Sequence, residues 1–226
     1  MFTRVERHMT ATAGETMAEL DNGPYDVEFF FDPGCPFAWQ TSVWIRRVAE
    51  LRGIKIGWRF ISLRFINEKV DLAPERVAVQ QRSLRYHRIC AAARQQFGNE
   101  AVGQLYRAWG DRYWYTSSAV DTAEIVRSLG LPEALLEAAD DTSWDGLIRA
   151  ESDEALRRTG SNLGTPIITY DPPTGNSFFG PVISAVPDDK TAVAFYDALR
   201  TLADFSGFSE LKRTDRAPLE LPVLAH

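Results

Sequence analysis

The chain has 226 residues, 25 Lys and Arg against 31 Asp and Glu for a formal net charge of −6, and 45% hydrophobic residues, with two cysteines and three histidines. That is enough apolar chain to bury a core without covalent staples. It holds too few thiols and imidazoles for a disulfide framework or a Cys/His metal centre, and the acidic balance supplies no field to draw nucleic acid, so the partners expected are small molecules or proteins.

Residues 1–24 read as a flexible leader: Glu6, Glu15, Glu19 and Asp21 interrupt any apolar run, so neither a secretory signal nor a membrane anchor is expected there. No stretch approaches the roughly 18 consecutive apolar residues of a membrane span. A cytoplasmic setting with both thiols reduced follows as an expectation. Order begins at Tyr25. Val27 to Phe31 is a short apolar, aromatic-rich run closed by Asp32, Pro33 and Gly34, which predicts a buried strand with a sharp exit. A helix is predicted from Cys35 to Leu51, stopped by Gly53, and a second strand from Lys55 to Leu63 with Ile56, Trp58 and Phe60 on one face. This is the opening of a βαβ unit.

After Asp71 the texture becomes helical. Pro74 suits a first helical position, and the segment to Phe97 places Tyr86, Cys90, Ala93 and Phe97 at helical spacing. Further helices are predicted at Glu100 to Trp109, Thr122 to Leu129 behind the cap Asp121, Pro132 to Ala139, and Trp144 to Thr159. Strand signals return at Pro166 to Tyr170 and Ser177 to Phe179, separated by Pro172, Pro173 and Gly175. A last helix should start at Pro187 or Asp188 and reach Phe205. The predicted class is therefore α/β with an all-helical insertion: residues 25–72 and 161–212 form one domain, 73–160 the insertion, and 213–226 an aperiodic tail.

Cys35 is the candidate reactive group. At the start of a helix, free backbone N–H groups and the positive end of the helix dipole favour a thiolate, so its pKa is expected to fall. Pro36 fits the first turn, where its missing N–H costs nothing. The competing reading makes Cys35 a small buried hydrophobe.

The neighbours favour reactivity. Phe30-Phe31-Asp32-Pro33 before Cys35-Pro36, Trp39 within the helix, and Gly164-Thr165-Pro166 after the insertion resemble the DsbA-like branch of the thioredoxin fold. Phe179-Gly180-Pro181-Val182 and Glu210-Leu211-Lys212-Arg213 are similar to the actinobacterial mycothiol-dependent nitroreductase subgroup. The resemblance implies a mixed sheet flanked by helices and a thiol oxidoreductase, with mycothiol or a similar low-molecular-weight thiol as co-substrate and no tightly bound cofactor. Nitroaromatic or disulfide substrates are implied with it. It further implies that Pro166 forms a cis peptide bond beside the reactive sulfur, with the Thr165 backbone facing the incoming thiol, and that Pro36, Phe37, Ala38 and Trp39 complete the active-site motif.

One departure is informative. A dithiol relative has its second cysteine where this chain has Ala38, so Cys35 lacks the adjacent thiol that normally clears a mixed disulfide. Monothiol chemistry with an external thiol is expected. Cys90, 55 positions along, shares an apolar face and is expected to be core. His87, between Arg85 and Arg88, either faces the cleft and helps to bind a thiol's carboxylates or sits on a merely solvated basic surface. Trp39, Trp44, Trp109 and Trp114 either line a pocket over Cys35 or pack the core. Two other functions stay open: a thiol transferase or isomerase like the kappa-class glutathione transferases, which activates a noncovalently held thiol, and a redox-inactive relative that binds a peptide or partner.

Overall fold

The computed structural model describes residues 23–116, 120–161 and 163–221. The expected leader, apart from Gly23 and Pro24, lies outside the described residues, as do residues 222–226 of the tail.

Strand β1 (Val27–Phe31) is buried at every position. This explains a run of apolar side chains without alternation, because both faces of a central strand are covered. Helix α1 (Pro36–Arg52) follows, with Cys35 as its N-cap and Pro36 in its first turn; it ends at Gly53, whose φ of 68° is the left-handed cap that glycine adopts without strain. Strand β2 (Ile56–Phe60) pairs parallel to β1, Phe29 opposite Trp58 and Phe31 opposite Phe60. The strand predicted to run to Leu63 stops at Phe60. The chain turns there into a short helix, α2 (Leu63–Ile66), whose first N–H is taken by the Asp32 side chain rather than by a strand partner.

Helix α3 (Pro74–Phe97) is the long element of the insertion, with Pro74 in its first turn. It is buried over much of its circumference, Ser83, Leu84, Tyr86, His87, Ile89, Cys90, Ala91, Ala92, Ala93 and Arg94 among its covered residues, whereas Phe97 is exposed. Helix α4 (Asn99–Thr116) begins one residue before the predicted segment and continues seven residues, about two turns, past it, held by buried Trp109 and Trp114. Helix α5 (Thr122–Ser128) is capped as predicted by Asp121, which accepts from the N–H groups of Ala123 and Glu124. The next segment, Glu133–Asp140, is a 3-10 helix rather than an α-helix, followed by a shorter one at Thr142–Trp144 and by α6 (Asp145–Thr159).

Strand β3 (Ile167–Tyr170) re-enters beside β1, antiparallel, and a hairpin adds β4 (Ser177–Phe179). The mixed sheet has the order β2-β1-β3-β4. Helix α7 (Asp189–Asp204), capped by Asp188, packs on α1, where Trp44 Nε1 donates to the Ala192 carbonyl at 3.1 Å.

The core between sheet and insertion is aromatic. Phe31 stacks on Tyr106 at 4.0 Å between ring centroids and meets Trp58, Phe60 and His87 edge-on, while Trp39 meets Tyr106 at 5.5 Å. Two glycines on α4 permit this approach: a Cβ at Gly103 would collide with the Trp58 indole and one at Gly110 with the Trp39 ring. On the other side, Glu28 binds Arg59 and Arg158, and Glu151 binds Arg94 and accepts the Phe60 N–H. These largely buried pairs tie β1 and β2 to α3 and α6; the hydrogen bonds around each carboxylate offset the desolvation that such pairing costs. The four tryptophans first weighed as pocket or packing, Trp39, Trp44, Trp109 and Trp114, are each 4% exposed or less.

Candidate active site

The site grows out of the turn that ends β1. Asp32 is fully buried, and its carboxylate works as a clamp. One oxygen accepts from the Gly34 N–H at 2.8 Å and from the Ser83 hydroxyl of α3; the other accepts from the Leu63 N–H of α2 at 2.8 Å. The Ser83 oxygen also takes the Gly34 N–H at 2.9 Å, and the Asp32 carbonyl takes the Cys35 N–H at 3.0 Å. Helix α2 and the insertion's helix α3 are thus fastened to the loop that carries the cysteine. Neither Asp32 nor Ser83 was singled out from sequence. The only local signal was the position of Asp32 two residues before a glycine in a turn, the spacing at which an Asp side chain accepts a backbone N–H.

Cys35 lies where the chain enters α1. Its sulfur accepts from the Ala38 N–H at 3.5 Å and its thiol donates to the Thr165 carbonyl at 3.4 Å. The Thr165–Pro166 peptide is cis, both residues are buried, and the Thr165 hydroxyl donates to the Phe30 carbonyl at 3.0 Å. Residues 130 positions apart therefore meet at one sulfur. The protonation state differs from the sequence expectation. Burial drives the Cys35 pKa up to about 12; the Ala38 N–H pulls it down, the nearby Asp32 carboxylate raises it, and the Phe37 N–H lowers it. The helix end acts in the expected direction, but loss of water around a residue only 8% exposed outweighs it. At neutral pH the resting form is the thiol.

The motif residues divide by exposure. Pro36 and Phe37 are half-buried and border the sulfur, whereas Ala38 and Trp39 point into the core with no exposed surface. The loop after β4 closes the other side: the Gly180 N–H donates to the Pro166 carbonyl at 2.8 Å, and Thr41 of α1 donates to the Pro181 carbonyl at 2.7 Å. His87 is not part of this surface. It is fully buried, packed against Phe31 and Phe60, with Nε2 3.0 Å from the Phe31 carbonyl and a pKa lowered chiefly by burial. Neither the cleft-facing nor the solvated placement holds, because α3 turns this residue toward the sheet. Its flanking arginines point elsewhere, Arg85 pairing with Asp140 and Arg88 with Asp145. Cys90, three residues further, is fully buried, and both cysteines are free thiols.

Among the described residues, no cluster of three or more His, Cys, Asp or Glu is placed to hold a metal ion, and no helix is long and apolar enough to cross a membrane.

A mixed sheet interrupted by a helical insertion, with a cysteine capping the first helix beside a cis-proline, defines the class: a DsbA-like thioredoxin-fold protein, one of the thiol-dependent oxidoreductases. Residues 34–213 match the family described as Rv2466c-like, mycothiol-dependent nitroreductase Rv2466c, and the chain belongs to that family. It is 31% identical over 208 residues to the uncharacterized protein Rv2286c of Mycobacterium tuberculosis, covering 88% of this chain and 86% of that one. Among solved structures it is similar to a candidate protein disulfide isomerase from Nitrosomonas europaea, with a TM-score of 0.53 at 11% identity over 76% of this chain and 97% of the other. It is also similar to the disulfide oxidoreductase DsbA from Proteus mirabilis, with a TM-score of 0.49 at 16% identity over 81% and 90%.

Proposed function

We propose that the protein is a monothiol oxidoreductase in which Cys35 attacks a disulfide or an electrophilic substrate and a low-molecular-weight thiol of the mycothiol type completes the turnover. The observation that carries the reading is the setting of Cys35 Sγ. It faces the Thr165 carbonyl, receives the Ala38 N–H, and has alanine where an adjacent resolving thiol would stand.

With a disulfide substrate, Cys35 gives up its proton and its sulfur bonds to one sulfur of the substrate. The substrate's S–S bond breaks, and the departing thiolate takes up a proton. While the charge is on Cys35, the Ala38 and Phe37 N–H groups are the donors that hold it. The mixed disulfide then waits beside Thr165 and Pro166. An external thiolate attacks it, regenerates the Cys35 thiol once a proton is returned, and leaves with the substrate fragment as a second disulfide. A cytoplasmic setting, in which such thiols are kept reduced, belongs to the same reading.

One observation favours a second reading. A thiol held protonated by burial is a poor nucleophile at rest, which suits a transferase of the kappa-class kind that activates a noncovalently bound thiol instead. Mass spectrometry after incubation with mycothiol disulfide separates the two. A single mycothiol adduct on Cys35, absent in Cys35→Ser together with an at least hundredfold loss of thiol-dependent turnover, supports exchange. Saturable binding with no adduct and near-normal turnover in Cys35→Ser supports the transferase and overturns the monothiol mechanism.

A further inference from the structure

Residues 205–221, the described part of the segment after α7, contain no helix or strand, yet they are fastened to the end of the molecule that carries Cys35. The connection can be followed contact by contact. The loop leaving β4 is joined to Pro166 through the Gly180 N–H and to α1 through Thr41 and the Pro181 carbonyl. Two residues beyond Val182, Ser184 binds the tail twice: its hydroxyl donates to the Ala217 carbonyl at 2.8 Å, and its carbonyl accepts the Glu220 N–H at 2.9 Å. Leu219 packs on the core and Leu221 is 1% exposed, so the tail is anchored over residues 217–221. Between α7 and these anchors the chain carries Arg216, whose guanidinium carbon lies 5.3 Å from the centroid of the Phe37 ring.

This places a cation over Phe37, which lies two residues after Cys35. Arg216 is exposed, and among the described residues no carboxylate pairs with it. Arg47 pairs with Glu50 and Asp189, Arg52 with Asp197, and Arg200 with Asp171. Among the described residues Arg76, Arg82 and Arg213 are exposed without a carboxylate partner; what sets Arg216 apart from these is its place over Phe37, beside Cys35. An arginine held against an aromatic ring keeps its fork of N–H donors for a second partner, and that fork matches the two oxygens of a carboxylate. In a chain of net charge −6, a tail held in place so that an unpaired guanidinium lies over Phe37, two residues from Cys35, calls for an anion.

We propose that Arg216 is a specificity-determining residue, binding a carboxylate of an anionic organic disulfide or electrophile while the reacting atom lies at Cys35. The inference rests on the reading of Cys35 as the reacting thiol. Phe37 serves as the platform that fixes the guanidinium, and the Ser184 contacts fix the tail. Substrates with the same reacting group and no negative charge gain nothing from this subsite.

The test uses the full chain and two disulfide probes, dithiobis-nitrobenzoate, which carries carboxylates, and dithiodipyridine, which is uncharged. In each case the Cys35 sulfur bonds to one sulfur of the probe, the probe's S–S bond breaks, and one equivalent of a coloured thiol product leaves. The second-order rate of that release is measured in the wild type, Arg216→Gln and Arg216→Lys, with Cys35→Ser as the blank. The expected result is a loss of about tenfold for the carboxylate probe in Arg216→Gln, with the neutral probe unchanged within about twofold and Arg216→Lys in between. Added salt should slow the carboxylate probe in the wild type and not in Arg216→Gln. Equal changes with both probes, or no change with either, overturn the subsite while leaving Cys35 as nucleophile. Colour release that persists undiminished in Cys35→Ser removes the reading of Cys35 itself, and the subsite with it.

Discussion

The two thiols occupy regions that treat sulfur differently, although burial raises the pKa of both. Cys90 lies in the middle of α3, where every backbone N–H is already committed to the helix, and it has no exposed surface. Only the charge of Arg94, one turn further along α3, favours its thiolate. Cys35 sits one residue before a helix begins, where N–H groups have no helical partner, and two of them, from Ala38 and Phe37, act on its sulfur. It keeps 8% of its surface, and its nearest acceptor belongs to a segment from the other half of the chain. On the proposed reading of Cys35 as the reacting thiol, what separates it from a structural cysteine is thus not depth but the availability of uncommitted donors.

The largest effect that follows is a difference in reactivity. Under native conditions Cys35 should be alkylated by iodoacetamide at least about a hundredfold faster than Cys90, because Cys90 must wait for α3 to open. The Cys35 rate should climb about tenfold for each pH unit without a plateau below about pH 10, since a pKa of about 12 leaves the thiol the dominant form throughout. Peptide mapping across a pH series measures both. A plateau near neutral pH would show that the helix end defeats burial after all, and comparable rates at the two positions would erase the contrast.

A smaller effect probes what raises the Cys35 pKa. After burial, the Asp32 carboxylate is the contributor that opposes ionisation by charge. Asp32→Asn removes that charge and keeps most of the side chain's shape, so the Cys35 alkylation rate at fixed pH should rise about three- to tenfold, with Cys90 unaffected. The same change puts an amide N–H₂ where one of three donors now finds an oxygen, and it should cost about 1–3 kcal/mol of stability in urea unfolding. A slower Cys35 in this variant, with the fold intact, would mean that Asp32 assists ionisation.

The same comparison shows what the sequence could and could not disclose. Cys35 was legible because a turn, a cysteine and a proline in succession at a helix start are local features, and so were the cap Asp121 and the stop at Gly53. The clamp around Asp32 was not, because its partners Leu63 and Ser83 are 31 and 51 positions away and nothing in their own neighbourhoods marks them. His87 misled for a related reason. Two flanking arginines suggested a basic surface, but α3 is covered on so many sides that helical spacing no longer distinguishes a wet face from a dry one. The early end of β2 has the same origin: Ile61 and Ser62 are buried, so the run still looks like strand, while the Asp32 carboxylate turns the backbone into α2. Arg216 lies in a stretch with no periodicity, and only the folded tail brings it to Phe37.

The smallest effect concerns Cys90. Cys90→Ala removes one sulfur atom from a fully packed position, and the void should cost about 1–2 kcal/mol without touching the reactive loop. Thiol-dependent turnover should stay within about twofold of the wild type. The pH dependence of stability provides a second readout. The folded protein keeps the Cys90 proton well above the ordinary thiol pKa of 9.0, whereas the unfolded chain releases it there. This contribution to stability is therefore complete below about pH 9 and is lost as the pH rises further. In Cys90→Ala the alkaline loss should be shallower, and the part that remains belongs to groups that the substitution leaves in place, Cys35 and the buried tyrosines Tyr86 and Tyr106. A Cys90→Ala protein that folds normally but fails to turn over, or a Cys35–Cys90 disulfide trapped during turnover, would make Cys90 the missing resolving thiol. In that case a thiol that now has no exposed surface would have to become accessible during turnover.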